Sequence, residues 1–349
     1  MGLFHADDLN DFVAECDSLG GLGHPAVQPV LADFRLEFDT VVDQDLDPFS
    51  EAYFEEQVGL YTELSGRTLD QESGEMTALD VDAHAAAISP YNLRDARFLS
   101  KHTRAVLTCV MLADLPPEAA VLDAGSGWGL SSEAIARCGA SVTAVDINPL
   151  FVELVRRRAA RLGLPIESVR SGFDTFHSDR AFDLLMFYEC LHHSLKPWET
   201  VAHLSRFLKP AGKIIFAGEP VNAQWWKHWG LRLDPLSVYC IRKFGWWESG
   251  WTGDFIGASF ARAGFDLTIH SHIGLNNGFI GTAVRTGAAP PPRFDLAVLD
   301  PLCHAAAAEQ YAAELAVARH TIAGMRSSRS WRATAPMRSL FRTLGLART

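Results

Sequence analysis

A short glycine-rich stretch, VLDAGSGWG at residues 121–129, constrains the fold of this chain more than any other feature. Val121 and Leu122 predict the end of a buried strand, and glycines follow at positions 125, 127 and 129. Residues 130–138 then carry apolar side chains at helical spacing and stop before Gly139, which favours a left-handed helix cap. A strand, a tight glycine turn and a helix in this order predict half of a nucleotide-binding sheet.

The segment after this helix predicts a second strand, residues 141–145, with Asp146 at its tip. Bare backbone in the turn lets a ligand lie against the helix N-terminus, and a carboxylate at the next strand end accepts hydrogen bonds from ribose hydroxyls. The glycine spacing is G-x-G-x-G, and Asp123 stands two residues before the first glycine. A dinucleotide-binding turn has the spacing G-x-G-x-x-G, so this pattern disfavours a dehydrogenase.

The ordered set of strand, acid, glycines, helix, strand and acid resembles motif I of the class I S-adenosylmethionine-dependent methyltransferases. A glycine turn in an unrelated α/β protein is the alternative. The resemblance implies S-adenosyl-L-methionine as the cofactor. The residues that it places at the cofactor are Asp123, Gly125, Ser126, Gly127, Gly129, Asp146, Ile147, Asp174 and Tyr188.

The segments that follow predict the rest of a sheet. Residues 149–163 predict a helix, and residues 166–170 predict a third strand that leads to Asp174, where this superfamily contacts the adenine. Residues 181–188 are apolar apart from Asp183, as in a buried parallel strand. The later predictions are helix 197–208, turn 209–212, strand 213–217, helix 252–263 and a hairpin of 265–272 with 278–285. The predicted fold class is therefore α/β, with a Rossmann-like, seven-stranded, mostly parallel sheet.

The apolar strand 181–188 ends in a group of residues that can take up a proton. Ligands of open α/β sheets lie outside the carboxyl ends of the strands. Leu-His-His after this strand resembles the motif found there in many small-molecule methyltransferases. If the methyl acceptor is a hydroxyl, a base is needed, and the candidate catalytic residues are His193, His192 and Glu189. The same three side chains could hold a metal ion, but adjacent side chains rarely converge on one ion, so no metal is assigned.

The remaining segments predict four parts: an acidic, mainly helical extension (1–89), a methyltransferase domain (90–287), a linker with an alanine-rich helix (288–325) and an arginine-rich tail (326–349). Residues 90–113 predict a helix that helps to form the ligand site, so that Tyr91, Asn92 and Arg94 could face the ligand. Local capping and pairing of Arg94 and Asp95 is the alternative. The aromatic insertion at 220–251 predicts an acceptor pocket or lid, or a small satellite core.

Composition and charge limit the classes of function. Apolar residues make up 48% of the 349 residues, the formal net charge is −11, and residues 1–80 contain only two basic residues, Arg35 and Arg67. An acidic surface argues against a nucleic-acid partner. The six cysteines form no C-x-x-C pair, and no apolar run approaches the roughly 20 residues of a membrane span. These features predict a cytoplasmic protein with reduced thiols.

Three further stretches resemble methyltransferases of bacterial cell-surface polysaccharide pathways: DPFSEAYF, SPYNLRDARFL and WGLRLDPLSVYCIRKFGWWESGW. The tail SSRSWRATAPMRSLFRTLGL resembles C-terminal segments found in that setting, and its aromatic residues and arginines suit an anionic membrane surface or an acidic partner. The resemblance implies O-methylation of a sugar or sugar-containing acceptor, at the inner face of the membrane if the tail docks. A solvated tail, a small non-sugar acceptor and a non-catalytic assembly protein remain alternatives, and the oligomeric state stays open.

Overall fold

The computed structural model of the chain describes residues 3–74, 76, 78–270 and 278–288. The predicted linker, alanine-rich helix and arginine-rich tail therefore lie outside the described residues, apart from position 288. The loop between the two strands of the predicted hairpin also lies outside them, except for Gly278. Within the described part of the chain, no helix combines the length and apolar character that a bilayer crossing requires.

The N-terminal part consists of short helices and two short parallel strands. Its elements are β1 (Leu3–His5), α1 (Leu9–Ser18), α2 (Gln28–Asp33), β2 (Arg35–Glu37), α3 (Glu51–Ser65), α4 (Gln71–Gly74) and α5 (Val81–Ala86). The longest, α3, begins where the Ser50 hydroxyl accepts a hydrogen bond from the Tyr53 amide, and ends at Gly66 in the left-handed conformation.

The central part alternates strands and helices. Its elements are α6 (Ala96–Ala113), β3 (Ala120–Ala124), α7 (Leu130–Arg137), β4 (Ser141–Asp146), α8 (Pro149–Leu162), β5 (Ile166–Arg170), β6 (Phe182–Tyr188), α9 (Pro197–Leu204) and β7 (Leu208–Glu219). After β7 come β8 (Trp229–Leu231), α10 (Pro235–Phe244), β9 (Ser249–Trp251), α11 (Gly253–Arg262), β10 (Phe265–Ile269) and β11 (Phe279–Arg285).

Seven of these strands form one sheet in the order β10-β11-β7-β6-β3-β4-β5. The neighbours from β7 to β5 pair in parallel, and β11 pairs antiparallel with both β7 and β10. The predicted fold class, an α/β protein with a seven-stranded, mostly parallel sheet, is confirmed. The chain order reverses between β3 and β6, and this is the point at which ligands bind in open α/β sheets.

Several boundaries differ from the sequence predictions for local physical reasons. Helix α6 begins at Ala96 instead of residue 90, because the Asp95 carboxylate accepts a hydrogen bond from the Phe98 amide and caps the helix. The local role considered for Asp95 is therefore what the structure shows. The predicted turn 209–212 is part of β7, which pairs with β6 from Phe182 onward through a register shift.

The aromatic insertion packs against the N-terminal helices and shares one continuous hydrophobic core with them and with the sheet. Three of its tryptophans, Trp229, Trp247 and Trp251, are 0%, 0% and 1% exposed. The Tyr53 hydroxyl of α3 donates a hydrogen bond to the Trp229 carbonyl oxygen at 2.5 Å. Most of the insertion therefore has a core role, but it belongs to the main core and does not form the small satellite core considered in the sequence. It also holds the N-terminal extension against the sheet.

Candidate active site

A cavity of about 990 Å³ opens at the carboxyl ends of β3, β4 and β6. It lies at the point where the strand order reverses, as expected for a ligand site in this architecture. Its volume is at the upper end of the range for small-molecule sites, roughly 300–1,000 Å³. One cavity of this size has room for a cofactor at one end and an acceptor at the other.

The glycine turn forms one wall of the cavity and requires its glycines. The backbone φ angles of Gly125, Gly127 and Gly129 are +68°, +47° and +84°, in the left-handed region that side chains disfavour. A Cβ atom on Gly125 would lie 2.7 Å from Cys190 Cβ, and one on Gly129 would lie 2.7 Å from Val155 Cγ2. A Cβ atom on Gly127 would meet nothing within 4 Å. The backbone at Gly127 is therefore open to a ligand.

Asp146 fixes this turn and also lines the cavity. Its Oδ2 accepts a hydrogen bond from the Gly127 amide at 2.8 Å, and its Oδ1 accepts one from the Asn148 amide at 2.8 Å. Each carboxylate oxygen can accept a second hydrogen bond. Asp146, the predicted acceptor for the ribose hydroxyls, is therefore held in place by the two backbone amides that it binds.

Asp123 lies beneath the turn and does not line the cavity. It is fully buried, and its Oδ2 accepts hydrogen bonds from the hydroxyls of Ser131 and Ser132. Burial raises the pKa of its carboxyl to about 6, against the opposing effect of the two serines. Among the described residues, Asp123 Oδ1 and the hydroxyl of cavity-lining Ser126 have no hydrogen-bond partner. Of the two, only the Ser126 hydroxyl is placed where a ligand in the cavity could supply a partner.

The region predicted to hold the adenine is also on the cavity wall. Ile147 and Asp174 line it, and Asp174 Oδ1 accepts a hydrogen bond from the Thr200 hydroxyl at 3.0 Å. The Trp128 ring lies 5.0 Å from the Phe151 ring and 5.7 Å from the Tyr91 ring. Trp128 thus belongs to an aromatic wall beside the turn, a feature that the sequence left open.

The other end of the cavity is built by residues from three distant segments. Gln71 and Glu72 come from α4, Tyr91 and Phe98 from the start of α6 and the loop before it, and Trp246 from the aromatic insertion. The Gln71 amide donates a hydrogen bond to the His193 carbonyl oxygen at 2.6 Å, which fixes α4 over the sheet. Of the predicted ligand-facing residues, only Tyr91 lines the cavity, because Asn92 and Arg94 are exposed and outside it.

Tyr188 and Glu189 line the junction between the two ends of the cavity. The Tyr188 hydroxyl lies 2.6 Å from His102 Nδ1, and Glu189 Oε2 lies 3.6 Å from the same nitrogen. Burial, followed by the charge of Glu189, raises the pKa of Tyr188 well above its usual value. His102 was missed in the sequence, because one histidine on the apolar face of an amphipathic helix has the pattern of a core residue.

The two histidines after β6 differ in position. His193 lines the cavity, with its ring 5.7 Å from the Trp246 ring in an edge-on arrangement. His192 is 7% exposed and does not line it. Its Nδ1 lies 2.8 Å from Glu219 Oε2, and its Nε2 lies 3.7 Å from Glu248 Oε2. His192 is therefore held between two carboxyl groups behind the cavity wall.

The metal-ligand set considered in the sequence is not the set that the structure brings together. His192, His193 and Glu248, rather than Glu189, offer ligand atoms within 4.8 Å of one another. Glu248 Oε2 also lies 3.6 Å from Arg232 Nη1, so this carboxylate already has a cationic partner. A metal ion would be repelled by that guanidinium, and we assign none.

Comparison with known proteins places a methyltransferase domain over part of the chain. The profile of a family described as a methyltransferase domain matches residues 122–216. A ubiquinone biosynthesis O-methyltransferase of Erwinia tasmaniensis is 31% identical over 133 residues, which cover 36% of this chain and 54% of that relative. A protein of the same name from Xanthomonas axonopodis pv. citri is 34% identical over 104 residues, covering 29% and 44%. The chain thus spans about half the length of these relatives.

Two solved structures with partial similarity to the chain are named as methyltransferases. One is an S-adenosylmethionine-dependent methyltransferase from Aquifex aeolicus, with a TM-score of 0.41, 16% identity, and coverage of 60% of this chain and 98% of that one. Another is the 1,6-didemethyltoxoflavin-N1-methyltransferase of Burkholderia thailandensis, with a TM-score of 0.41, 20% identity, and coverage of 55% and 81%. Similarity at this level supports no conclusion about the function of this chain.

The matched range begins in β3 and ends in β7, and it includes the glycine turn, Asp146 and the Leu-His-His motif. The expectations of a class I methyltransferase domain, of an enzyme domain and of S-adenosylmethionine as its cofactor are therefore confirmed at the level of residues 122–216.

Proposed function

We propose that the whole chain is an S-adenosylmethionine-dependent methyltransferase that methylates a hydroxyl of a sugar or sugar-containing acceptor. One observation carries the proposal: the glycine turn and Asp146 form one end of a cavity that continues past Glu189 and His193 to a second, aromatic end. Methyl transfer needs an acceptor atom held close to the methyl group and water excluded from both. A single continuous cavity meets that need.

The residues at the glycine end fit the cofactor. The open backbone at Gly127, the unpartnered hydroxyl of Ser126 and the carboxylate of Asp146 supply donors and acceptors for its polar groups. Ile147 and Asp174 would contact the adenine, with an apolar neighbour for the ring and an acid for its amine. The cofactor supplies an electrophilic methyl group on a sulfonium, and the chain's own residues orient it and exclude water.

The acceptor end supports a neutral, hydroxyl-bearing acceptor. Tyr91, Phe98 and Trp246 present rings that can stack on the faces of a sugar, and Gln71 and Glu72 can hydrogen-bond to hydroxyls. Among the described lining residues, the only lysine or arginine is Arg170. Its Nε donates a hydrogen bond to the Ile147 carbonyl oxygen, which places it at the cofactor end. A phosphate group buried at the acceptor end would have no cationic partner there, so any phosphate of a lipid-linked sugar would lie outside the cavity.

A small non-sugar metabolite is the second candidate acceptor, because the curated relatives are named for ubiquinone biosynthesis. However, the family profile covers residues 122–216, and Gln71, Glu72, Tyr91, Phe98 and Trp246 all lie outside that range. The family profile therefore covers the cofactor site, while these five residues of the acceptor end lie outside it. We therefore infer the class of acceptor from the residues that line the cavity and not from the names of the relatives.

Two side chains can take the proton of the acceptor hydroxyl, since both His193 and Glu189 line the cavity. His192 would act through its neighbours instead, by holding the turn that carries His193. The contact of residues 326–349 with a membrane surface or a glycan-assembly partner is part of the proposal. A location at the inner face of the membrane depends on that contact.

The test uses S-adenosylmethionine labelled in its methyl group, incubated with the full chain and a cell extract of the source organism. We expect label in the polysaccharide or lipid-linked sugar fraction. Label confined to small aqueous metabolites would favour the non-sugar acceptor. Binding of the cofactor without transfer to any fraction would favour a non-catalytic assembly protein and would contradict the proposed activity.

A further inference from the structure

Glu189 has a backbone conformation that glutamate rarely adopts. It directly follows β6, with a φ of +51°, and its amide donates a hydrogen bond to the Ala217 carbonyl oxygen at 2.8 Å. A side chain in the left-handed region strains the backbone, and such strain clusters at functional sites. Glycine would be the favoured residue here, yet the chain keeps a carboxylate at the junction of the cavity.

The neighbouring strand leaves room for that carboxylate. Gly218, near the end of β7, has a φ of +77°, and a Cβ atom added to it would lie 2.3 Å from Glu189 Cγ. Position 218 is thus a glycine, and the absence of a side chain there makes room for the side chain of Glu189. Two adjacent strand ends are shaped around the carboxyl of Glu189.

His102 of α6 holds the carboxyl group from the other side. Its Nδ1 lies 3.6 Å from Glu189 Oε2 and 2.6 Å from the Tyr188 hydroxyl, and the residue is 6% exposed. The Phe98 ring packs on the His102 ring, with 4.2 Å between the centroids. The imidazole therefore has little freedom to move away from Glu189.

The surroundings of Glu189 favour proton exchange near neutral pH. Burial, and then the nearby charge of Glu219, raise the pKa of the Glu189 carboxyl to about 7. Burial lowers the pKa of His102, so the imidazole faces the carboxyl in its neutral form. The hydroxyls of Tyr91 and Tyr188 also face it, and burial raises the pKa of both. Of these groups, Glu189 is the one whose pKa lies nearest the working range of a general base.

We propose that Glu189 accepts the proton of the acceptor hydroxyl, and that His102 is a positioning residue that holds its carboxylate. The proposal rests on the proposed function. In the step, the O–H bond breaks and its proton passes to the Glu189 carboxylate. The oxygen forms a bond to the methyl carbon, and the C–S bond breaks with its electron pair going to sulfur. His193 is then a contact of the acceptor, and His192 stays behind the wall.

The test compares Glu189→Gln with Glu189→Gly, using methyl-labelled S-adenosylmethionine and the extract fraction that the wild type labels. We expect both variants to lose transfer by about 100-fold or more, with nearly unchanged affinity for S-adenosylhomocysteine. Glu189→Gly should also raise the unfolding midpoint, since glycine relieves the strain. A merely structural glutamate would not show a gain in stability together with a loss of transfer.

Glu118→Gly is the matched control, because Glu118 is exposed, has a φ of +57° and lies outside the cavity. It should raise the unfolding midpoint and leave the transfer rate unchanged. His102→Asn should lower the rate by about tenfold and displace the pH dependence, which in the wild type rises through pH 7. The Glu189→Gln variant should lack that rise.

Retention of transfer within about threefold by Glu189→Gln, together with its loss in His193→Ala, would overturn the assignment in favour of the histidine. An unchanged pH profile in His102→Asn would overturn the positioning role. Failure of the proposed function has a different signature, since the wild type would then bind S-adenosylmethionine and label no fraction.

Discussion

The two ends of the cavity are built in different ways. The cofactor end comes from neighbouring segments, with the glycine turn, α7 and Asp146 within residues 121–146. The acceptor end comes from α4, the start of α6 and the aromatic insertion, which are separated by many residues in the chain. A site made from one continuous motif keeps its pattern between relatives. A site assembled from distant segments can change its specificity while the fold and the cofactor remain the same.

The largest effect is expected at two adjacent tryptophans, one in the core and one at the acceptor end. Trp247 is fully buried, with its ring 5.7 Å from the Tyr61 ring, whereas Trp246 lines the acceptor end. Trp247→Ala should lower the free energy of unfolding by about 3–5 kcal/mol through the cavity that it leaves. Trp246→Ala should cost less stability and mainly weaken acceptor binding. Urea unfolding and labelled-methyl transfer separate the two, and equal losses of stability would contradict the assignment.

The two histidines give the next contrast. Burial alone would raise the pKa of Glu219, but the charge and hydrogen bond of His192, with two backbone amides, hold it below its usual value. His192→Ala removes the imidazole partner of that buried carboxylate, which keeps only its backbone amides, and should lower the free energy of unfolding by about 3 kcal/mol. His193→Ala should lower transfer with little change in stability. The prediction fails if His193→Ala is the more destabilised variant in urea.

The cofactor end is tested by Asp146→Ala. Loss of its carboxylate removes the acceptors of the Gly127 and Asn148 amides and those proposed for the ribose hydroxyls. The affinity for S-adenosylhomocysteine should fall by about 1–3 kcal/mol, measured by titration calorimetry. Trp246→Ala is the control, because it changes the other end of the cavity. An unchanged affinity of Asp146→Ala for S-adenosylhomocysteine would contradict the assignment of this end of the cavity to the cofactor.

The smallest predicted effect is a change in the pH dependence of stability. The pKa of Asp123 is raised by burial from 3.8 to about 6, so the folded state binds more protons than the unfolded state between these values. The contribution of this group is full below about pH 4 and is lost as the pH rises through 6. Asp123→Asn should therefore gain stability relative to the wild type between pH 4 and 6.5. Parallel urea profiles for the two proteins would contradict the raised pKa.

Much of the fold could be predicted because its signals are local. The strand Ile166–Arg170 and the hairpin pairing of the last two strands follow from apolar runs and glycine turns. The turn predicted at 209–212 lies within the bounds of β7, but its residues have no partner in β6, because the pairing passes from Leu208 directly to Lys213. The strand predicted at 213–217 begins at the residue where the pairing resumes.

The acceptor end could be predicted only in part, because its residues carry no local signal. Gln71 and Glu72 lie in the N-terminal extension, for which the sequence predicted no site residue, and α4 brings them to the cavity. The space for the Glu189 side chain is left by Gly218, which is 29 residues away in the chain. Such contacts between distant residues depend on the sheet topology. The domain boundaries and the role of the tail remain predictions.

One pair of measurements tests the division of the cavity most directly: the affinity for S-adenosylhomocysteine and the rate of labelled-methyl transfer, in Asp146→Ala and Glu189→Gln side by side. Asp146→Ala should weaken binding and, at limiting cofactor, slow transfer in proportion. Glu189→Gln should bind like the wild type and transfer little. Equal loss of affinity in both variants would contradict the account, because Glu189 would then belong to the cofactor end.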